Sequence, residues 1–281
     1  MSIQLEQMHE REQEQTGARS GAVLGFDTST AALAAALIGS SGVLGEVQSV
    51  AEKNHSVHLI PMLQRLLREA AVRPEALTGI AVGCGPGSYT GVRIAVTAAK
   101  TLAWVWDKPV AAVSSLEALA YGAWRRAEAD PAEAAGGARW FVPIMDARRG
   151  QVYSAAFAAS AAGGWTRLAD DGIRLMDGWT DELLRRAAAA AEPPQAIVFA
   201  GDPGPHAAAI DALAAGSHDD AAGALRVALD SAHMAGRWVA ELGRRRLARG
   251  EADEVHGLTP NYTQLAEAEA KLRAAAQGRE G

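Results

Sequence analysis

Hydrophobic positions along this chain follow two rhythms, and the switches between them outline a fold. Ala22 to Phe26 is a short apolar run that stops at Asp27-Thr28-Ser29-Thr30, the pattern of a buried strand meeting a turn. Ala31 to Ile38 predicts a second strand, Ser40-Ser41-Gly42 a turn, and Val43 to Val50 a third strand. The rhythm then lengthens. With Asn54 or Ser56 as cap, Leu59, Met62, Leu63, Leu66 and Leu67 recur at helical spacing until about Ala70, and Arg73-Pro74-Glu75 ends the run. Ile80 to Val82 is a buried strand again. Gly83, Gly85 and Gly87 then permit a sharp turn, Ser88 or Thr90 offers a cap, and the pattern from Val92 is helical, broken by Arg93 and Lys100. Pro109 to Val113 predicts a strand, and Ser115 to Ala127 a helix capped by Ser114 or Ser115.

After an Ala/Glu/Gly-rich stretch from Asp130 to Ala138 the opening pattern returns. A strand (Phe141 to Met145) meets Asp146, turns through Arg148-Arg149-Gly150 and rebounds into a strand (Val152 to Phe157). A helix (Asp181 to Ala191), a strand (Ile197 to Ala200), a glycine turn (Gly201 to Gly204) and a helix (His206 to Ala214) follow. Leu225 to Leu229 predicts a last strand, with Ser231 capping a long helix to about Arg249. The plan is mixed α/β in two related lobes. It divides into a polar, disordered extension (1–20), a first lobe (21–113), a second lobe (114–257) and a tail (258–281) that could pack on the first lobe.

Composition narrows the function. A net charge of −6 argues against a free-standing nucleic-acid binder, which would carry a basic face. Lys100 and Asp107 interrupt the central apolar run well short of the ~18 residues a membrane span needs. Glu6, Glu10, Glu12 and Glu14 exclude the apolar core of a signal peptide from the first twenty residues. Cys84 is the only cysteine, so no internal disulfide forms and a reducing, cytoplasmic compartment is expected. Cys84 sits beside a helix start, but no motif places a partner His for it. The glycine-rich turn could cradle a phosphate. It fails both formal phosphate-binding motifs at Thr90, however, and the other reading of its glycines is close packing of a strand-to-helix connection.

Four blocks in order carry a resemblance. Gly25-Phe26-Asp27-Thr28-Ser29-Thr30 resembles the opening of actin-like ATPase lobes. Asn54-His55-Ser56, then Gly85-Pro86-Gly87-Ser88-Tyr89-Thr90-Gly91-Val92-Arg93, then Val113-Ser114-Ser115-Leu116-Glu117, are similar to the bacterial TsaB (YeaZ) family, and Asp146-Ala147-Arg148-Arg149-Gly150 extends the match. His55, Gly85, Gly87, Ser88, Thr90, Gly91 and Arg93 are the motif positions. The resemblance implies an actin-like two-lobed fold, each lobe a mixed five-stranded sheet flanked by helices. It also implies a non-catalytic scaffold subunit of the complex that places threonylcarbamoyl on N6 of adenosine 37 in ANN-decoding tRNAs. The implied partners are a TsaD-like catalytic subunit and a TsaE-like ATPase, with a homodimer when alone and tRNA met only through the complex. Two features lie outside the family pattern: the N-terminal extension, and Tyr262-Thr263-Gln264 where the family often has Tyr-Leu-Arg.

Three expectations about chemistry follow. The catalytic relatives hold a metal through two histidines four apart on a helix, whereas His55 and His58 are three apart, so no metal site is expected. Asp27, Thr28 and Ser29 stand where the superfamily contacts nucleotide, but this turn lacks a glycine for close phosphate approach, and Asp27 reads better as a turn-former. No cofactor is required, and ATP or ADP at a partner interface stays open. The two apolar helices of the first lobe are expected to offer a pairing surface through Leu59, Met62, Leu63, Leu66, Val92, Ala95, Ala98, Ala99 and Leu102. The alternatives are an active actin-like ATPase or phosphotransferase, signalled by magnesium-dependent turnover, and a metal-dependent enzyme of the TsaD type.

Overall fold

The computed structural model describes residues 21–50, 55–130, 137–160, 164–216 and 225–263. The expected extension (1–20) and the polar segment after Thr263 lie outside the described residues. Strands β1 (Ala22–Asp27), β2 (Ala32–Gly39) and β3 (Gly42–Val50) form the predicted meander. Helix α1 (His55–Glu69), β4 (Leu77–Gly83), α2 (Tyr89–Trp106) and β5 (Val110–Val113) follow, giving a five-stranded sheet of order β3-β2-β1-β4-β5. Helix α3 (Ser115–Ala129) leads to β6 (Arg139–Asp146), β7 (Gln151–Ala159), β8 (Trp165–Leu175), α4 (Met176–Ala189), β9 (Ala196–Ala200), α5 (Ala207–Gly216) and β10 (Arg226–Asp230). The second sheet has order β10-β9-β6-β7-β8. In each sheet the first strand pairs antiparallel with the second and parallel with the fourth. The same topology occurs twice, which is the actin-like two-lobed fold.

Strands β1 and β2 are buried along their whole length because both sheet faces are covered. Leu24, Phe26, Leu33 and Leu37 point into a core shared with α1 and α2. Val23 and Ala34 point the other way, toward a helix from the far end of the chain, α6 (Gly236–Ala248). That helix packs on β1, β2, β4 and β5, so a division placing all of 114–257 in the second lobe is corrected: the chain returns to cover the first sheet. Small residues allow it. A Cβ on Gly25 would stand 2.4 Å from the backbone nitrogen of Ala240, and one on Gly243 would stand 2.2 Å from the Ala81 methyl.

Helix α6 differs from its predicted form, and strand β8 has no predicted counterpart. Helix α6 starts at Gly236, not near Ser231, because its first turn is capped from another element: Glu46 of β3 accepts the Arg237 N–H at 3.2 Å and pairs with its guanidinium. Strand β8 carries no clear alternation, since it is an edge strand with slips in its pairing to β7. Beyond α6 the chain runs back along the first lobe. Asp253 pairs with the β5 edge, Lys100 Nζ donates to the carbonyls of His256 and Leu258, and Leu258 is buried in the first-lobe core.

The close approach of α6 sets a stability test. Gly25→Ala should lower the urea-unfolding free energy by about 1–3 kcal/mol, because helix backbone has nowhere to yield. Gly178→Ala, with open space around its added methyl, should change it little or raise it by at most about 1 kcal/mol. Equal effects at both sites would contradict this packing.

Candidate functional site

The Asp27 turn and the glycine block meet at the ends of β1 and β4. Ser29 N–H donates to Asp27 Oδ1 at 2.6 Å, so the carboxylate shapes its own turn, as the sequence suggested. The hydroxyl of Ser115 donates to Asp27 Oδ2 at 2.5 Å and accepts the Gly85 N–H at 3.0 Å. Ser114 and Ser115 were alternatives for capping α3. Ser114 does the capping, accepting the Glu117 N–H, which leaves Ser115 free to hold Asp27. Thr28 Oγ1 donates to the Gly91 carbonyl at 2.6 Å, and Ser88 N–H donates to the Ser29 carbonyl at 2.7 Å.

The glycines of the block serve this contact. A Cβ on Gly91 would lie 1.9 Å from the Thr28 carbonyl oxygen, and one on Gly87 2.5 Å from that of Ser29. Ser88 caps α2 by accepting the Gly91 N–H, while Thr90 and Arg93 face solvent. The packing reading of the glycines therefore describes the turn. Asp27 and Thr28 are fully buried and engaged with protein, and only Ser29 reaches the cleft between the lobes.

That cleft has a volume of about 770 Å3. Ser29, Gly87 and Tyr89 line one side; Asp146, Arg148 and Gly204 line the other. Asp146 repeats the local role of Asp27 by accepting the Arg148 N–H at 3.0 Å, but it is exposed, with Nε2 of the buried His206 3.3 Å from it. Sequence reasoning did not find Ser115 or His206 in these roles, and no local pattern marks either.

His55 is half-buried at the start of α1 and His58 is exposed. Among the described residues no three His, Cys, Asp or Glu side chains converge as metal ligands would. Burial, helped by Asp171 and Asp27, pushes the Cys84 thiol up to about 12, which keeps it protonated.

The expected pairing surface needs correction. Leu59, Leu63, Leu66, Val92, Ala95 and Ala99 are buried in the first lobe's own core, because a helix covering a sheet turns its apolar stripe inward. Met62, Ala98 and Leu102 are only partly buried against that core. Other large apolar side chains remain outside: Val57 and Ile60 near the start of α1, and Trp104 and Val105 near the end of α2, with Trp104 69% exposed.

Burial raises the Asp27 carboxyl above its ordinary 3.8; bonds from Ser115 and Ser29 and the nearby His55 oppose this only in part. The native state thus holds this proton more tightly than the unfolded chain does. Its contribution to stability is complete below the ordinary value and is lost as pH rises through the raised one. Asp27→Asn keeps an acceptor for Ser29 without the titration. Urea unfolding across a pH series should show the native chain losing ground to the variant as pH rises from 3.8. A difference independent of pH would contradict the buried titration.

Comparison with known proteins places this geometry. The family model "TsaD: tRNA N6-adenosine threonylcarbamoyltransferase" matches residues 37–171. YeaZ from Pseudomonas aeruginosa superposes with a TM-score of 0.63 at 27% identity, covering 86% of this chain and 99% of that one. The tRNA threonylcarbamoyladenosine biosynthesis protein TsaB of Escherichia coli (strain K12) is 33% identical over 143 residues, which is 51% of this chain and 58% of that protein. Its namesake from Bacillus subtilis (strain 168) is 37% identical over 255 residues, 89% of this chain and 96% of that protein. With so much shared across almost the entire length of a relative, this chain belongs to the TsaB family.

Proposed function

We propose that this chain serves in the biosynthesis of threonylcarbamoyladenosine in tRNA as a subunit with no reaction of its own. It docks through the outer face of α1 and α2 onto a larger TsaD-like subunit that carries the transferase, and a TsaE-like ATPase works with the pair. The observation that carries this reading is a contrast between interior and exterior. The carboxyl that would serve an actin-like nucleotide site is buried and bonded to Ser115 and Ser29, while Trp104, Val105 and Val57 stand exposed on adjacent helices. Large apolar side chains left exposed on two neighbouring helices are candidates for contact with a partner. The transferase family model covers the segment containing these helices, which supports a partner whose matching helices meet them. Two like helix pairs then form a four-helix contact. In the absence of the transferase a second copy of this chain takes its place, and nucleotide, where bound, belongs at the partner interface.

Co-elution with the transferase of the same organism tests the reading. Trp104→Asp and Val57→Asp should each weaken pairing by at least about tenfold and leave the melting temperature nearly unchanged, as surface substitutions do. Leu63→Asp, inside the core, should instead unfold the chain. Undiminished co-elution of both surface variants would contradict the docking face.

A further inference from the structure

The rim of the interlobe cleft carries groups that docking through α1 and α2 leaves unused. Between β6 and β7, Arg148, Arg149 and Gly150 all stand at positive φ, 64°, 55° and 72°. Such backbone suits glycine, and a residue with a Cβ is disfavoured there. The turn is nevertheless fixed: Ala147 N–H donates to the Gln151 carbonyl, Gln151 N–H to that of Arg148, and Met176 N–H to that of Gly150. Two exposed arginines are thereby held out beside the cleft, Arg148 among the residues that line it and Arg149 next to it. Strain maintained at an exposed turn points to use.

Their charge is free as well. The arginines of α3 and α6 are each held by a carboxylate, as Arg126 is by Asp230 and Arg237 by Glu46. Among the described residues no carboxylate lies within ion-pairing distance of Arg148, Arg149 or Arg93. Asp146 and Asp202 share the cleft, but each is occupied with the N–H two residues on.

Across the cleft from Arg148, the lining residue Tyr89 gathers a second ring and a cation beside it. Tyr89 and Tyr262 are 52% and 46% exposed, their ring centroids lie 5.2 Å apart, and the Arg93 guanidinium sits 5.2 Å from the Tyr89 ring. Tyr262 is mounted rigidly: its neighbour Asn261 donates from its backbone to the Cys84 carbonyl of the first lobe at 2.7 Å and from its side chain to Asp171 of the second at 3.1 Å. Exposed rings on the same cleft as arginines with no carboxylate partner suit a strand with open bases and a phosphate backbone; a duplex hides its bases.

We propose that this rim, Tyr89, Arg93 and Tyr262 on one lip and Arg148 and Arg149 on the other, binds a single-stranded RNA segment. Bases rest against the tyrosines and phosphates against the arginines. The proposal rests on the tRNA reading above and names where this subunit touches the RNA. A net charge of −6 means the contact is local and sensitive to salt.

Anisotropy of a labelled RNA stem–loop with the full chain at about 50 mM salt tests it. The loop should bind, and a blunt duplex of equal length should bind at least about tenfold more weakly. Arg148→Gly/Arg149→Gly suits the backbone, so the double variant should melt no lower than the native chain. It should also lose about tenfold in loop affinity and show a salt slope shallower by about one unit. Tyr262→Phe should keep binding that Tyr262→Ala loses. The proposal fails if the native chain ignores the loop, if duplex binds as well, if the double variant binds normally, or if free AMP displaces the loop completely. Co-elution with the transferase separates the two readings. Lost docking with intact loop binding defeats the functional reading alone, whereas normal loop binding by the double variant defeats the rim alone.

Discussion

One buried carboxyl fastens three parts of the chain at a single point. Asp27 ends β1, holds its own turn through Ser29, and receives the Ser115 hydroxyl from the start of α3, which in turn receives the Gly85 N–H. Burying a carboxyl is costly unless its oxygens are bonded, and here both are. Because the knot involves β1, the turn after β4 and the first turn of α3, the position of α2 and the path into the second lobe depend on it. Gly87 and Gly91 lack side chains because the Asp27–Thr30 turn occupies that space.

The second lobe shows what the first has committed. Its topology repeats that of the first, and Asp146 bonds the N–H two residues on as Asp27 does, yet Asp146 remains exposed at the cleft. One duplicated turn became a structural anchor while its counterpart stayed open to solvent. In this chain of the TsaB family the first-lobe carboxyl is committed to the fold, while its second-lobe counterpart stands at the cleft.

Much of this was legible in the residues. Apolar runs placed nine of the ten strands among the described residues, the repeat of strand, Asp and rebound foretold two lobes of one plan, and Ser88 is one of the two caps the sequence offers. What escaped was decided by long-range contact. Nothing near Gly236 announces that Glu46 will cap its helix, and nothing in Ser114-Ser115 says which hydroxyl caps and which turns inward. Six of the expected pairing residues turn inward for a related reason. Periodicity finds an apolar stripe such as Leu59-Leu63-Leu66, but that stripe belongs to the sheet beneath. The exposed Trp104 and Val105 interrupt the pattern instead of continuing it. Strand β8 was missed because an edge strand with one wet face and slipped pairing leaves little rhythm to read.

The central claim is that the Asp27 carboxyl does structural work and no chemistry. The direct measurement is tRNA modification in a reconstituted system of transferase, ATPase and donor-forming enzyme, supplemented with the native chain or with Asp27→Asn. The account predicts that the folded variant supports modification at the native rate. A variant that folds and docks normally yet leaves the tRNA unmodified would show that this carboxyl takes part in the reaction, and the account would fall.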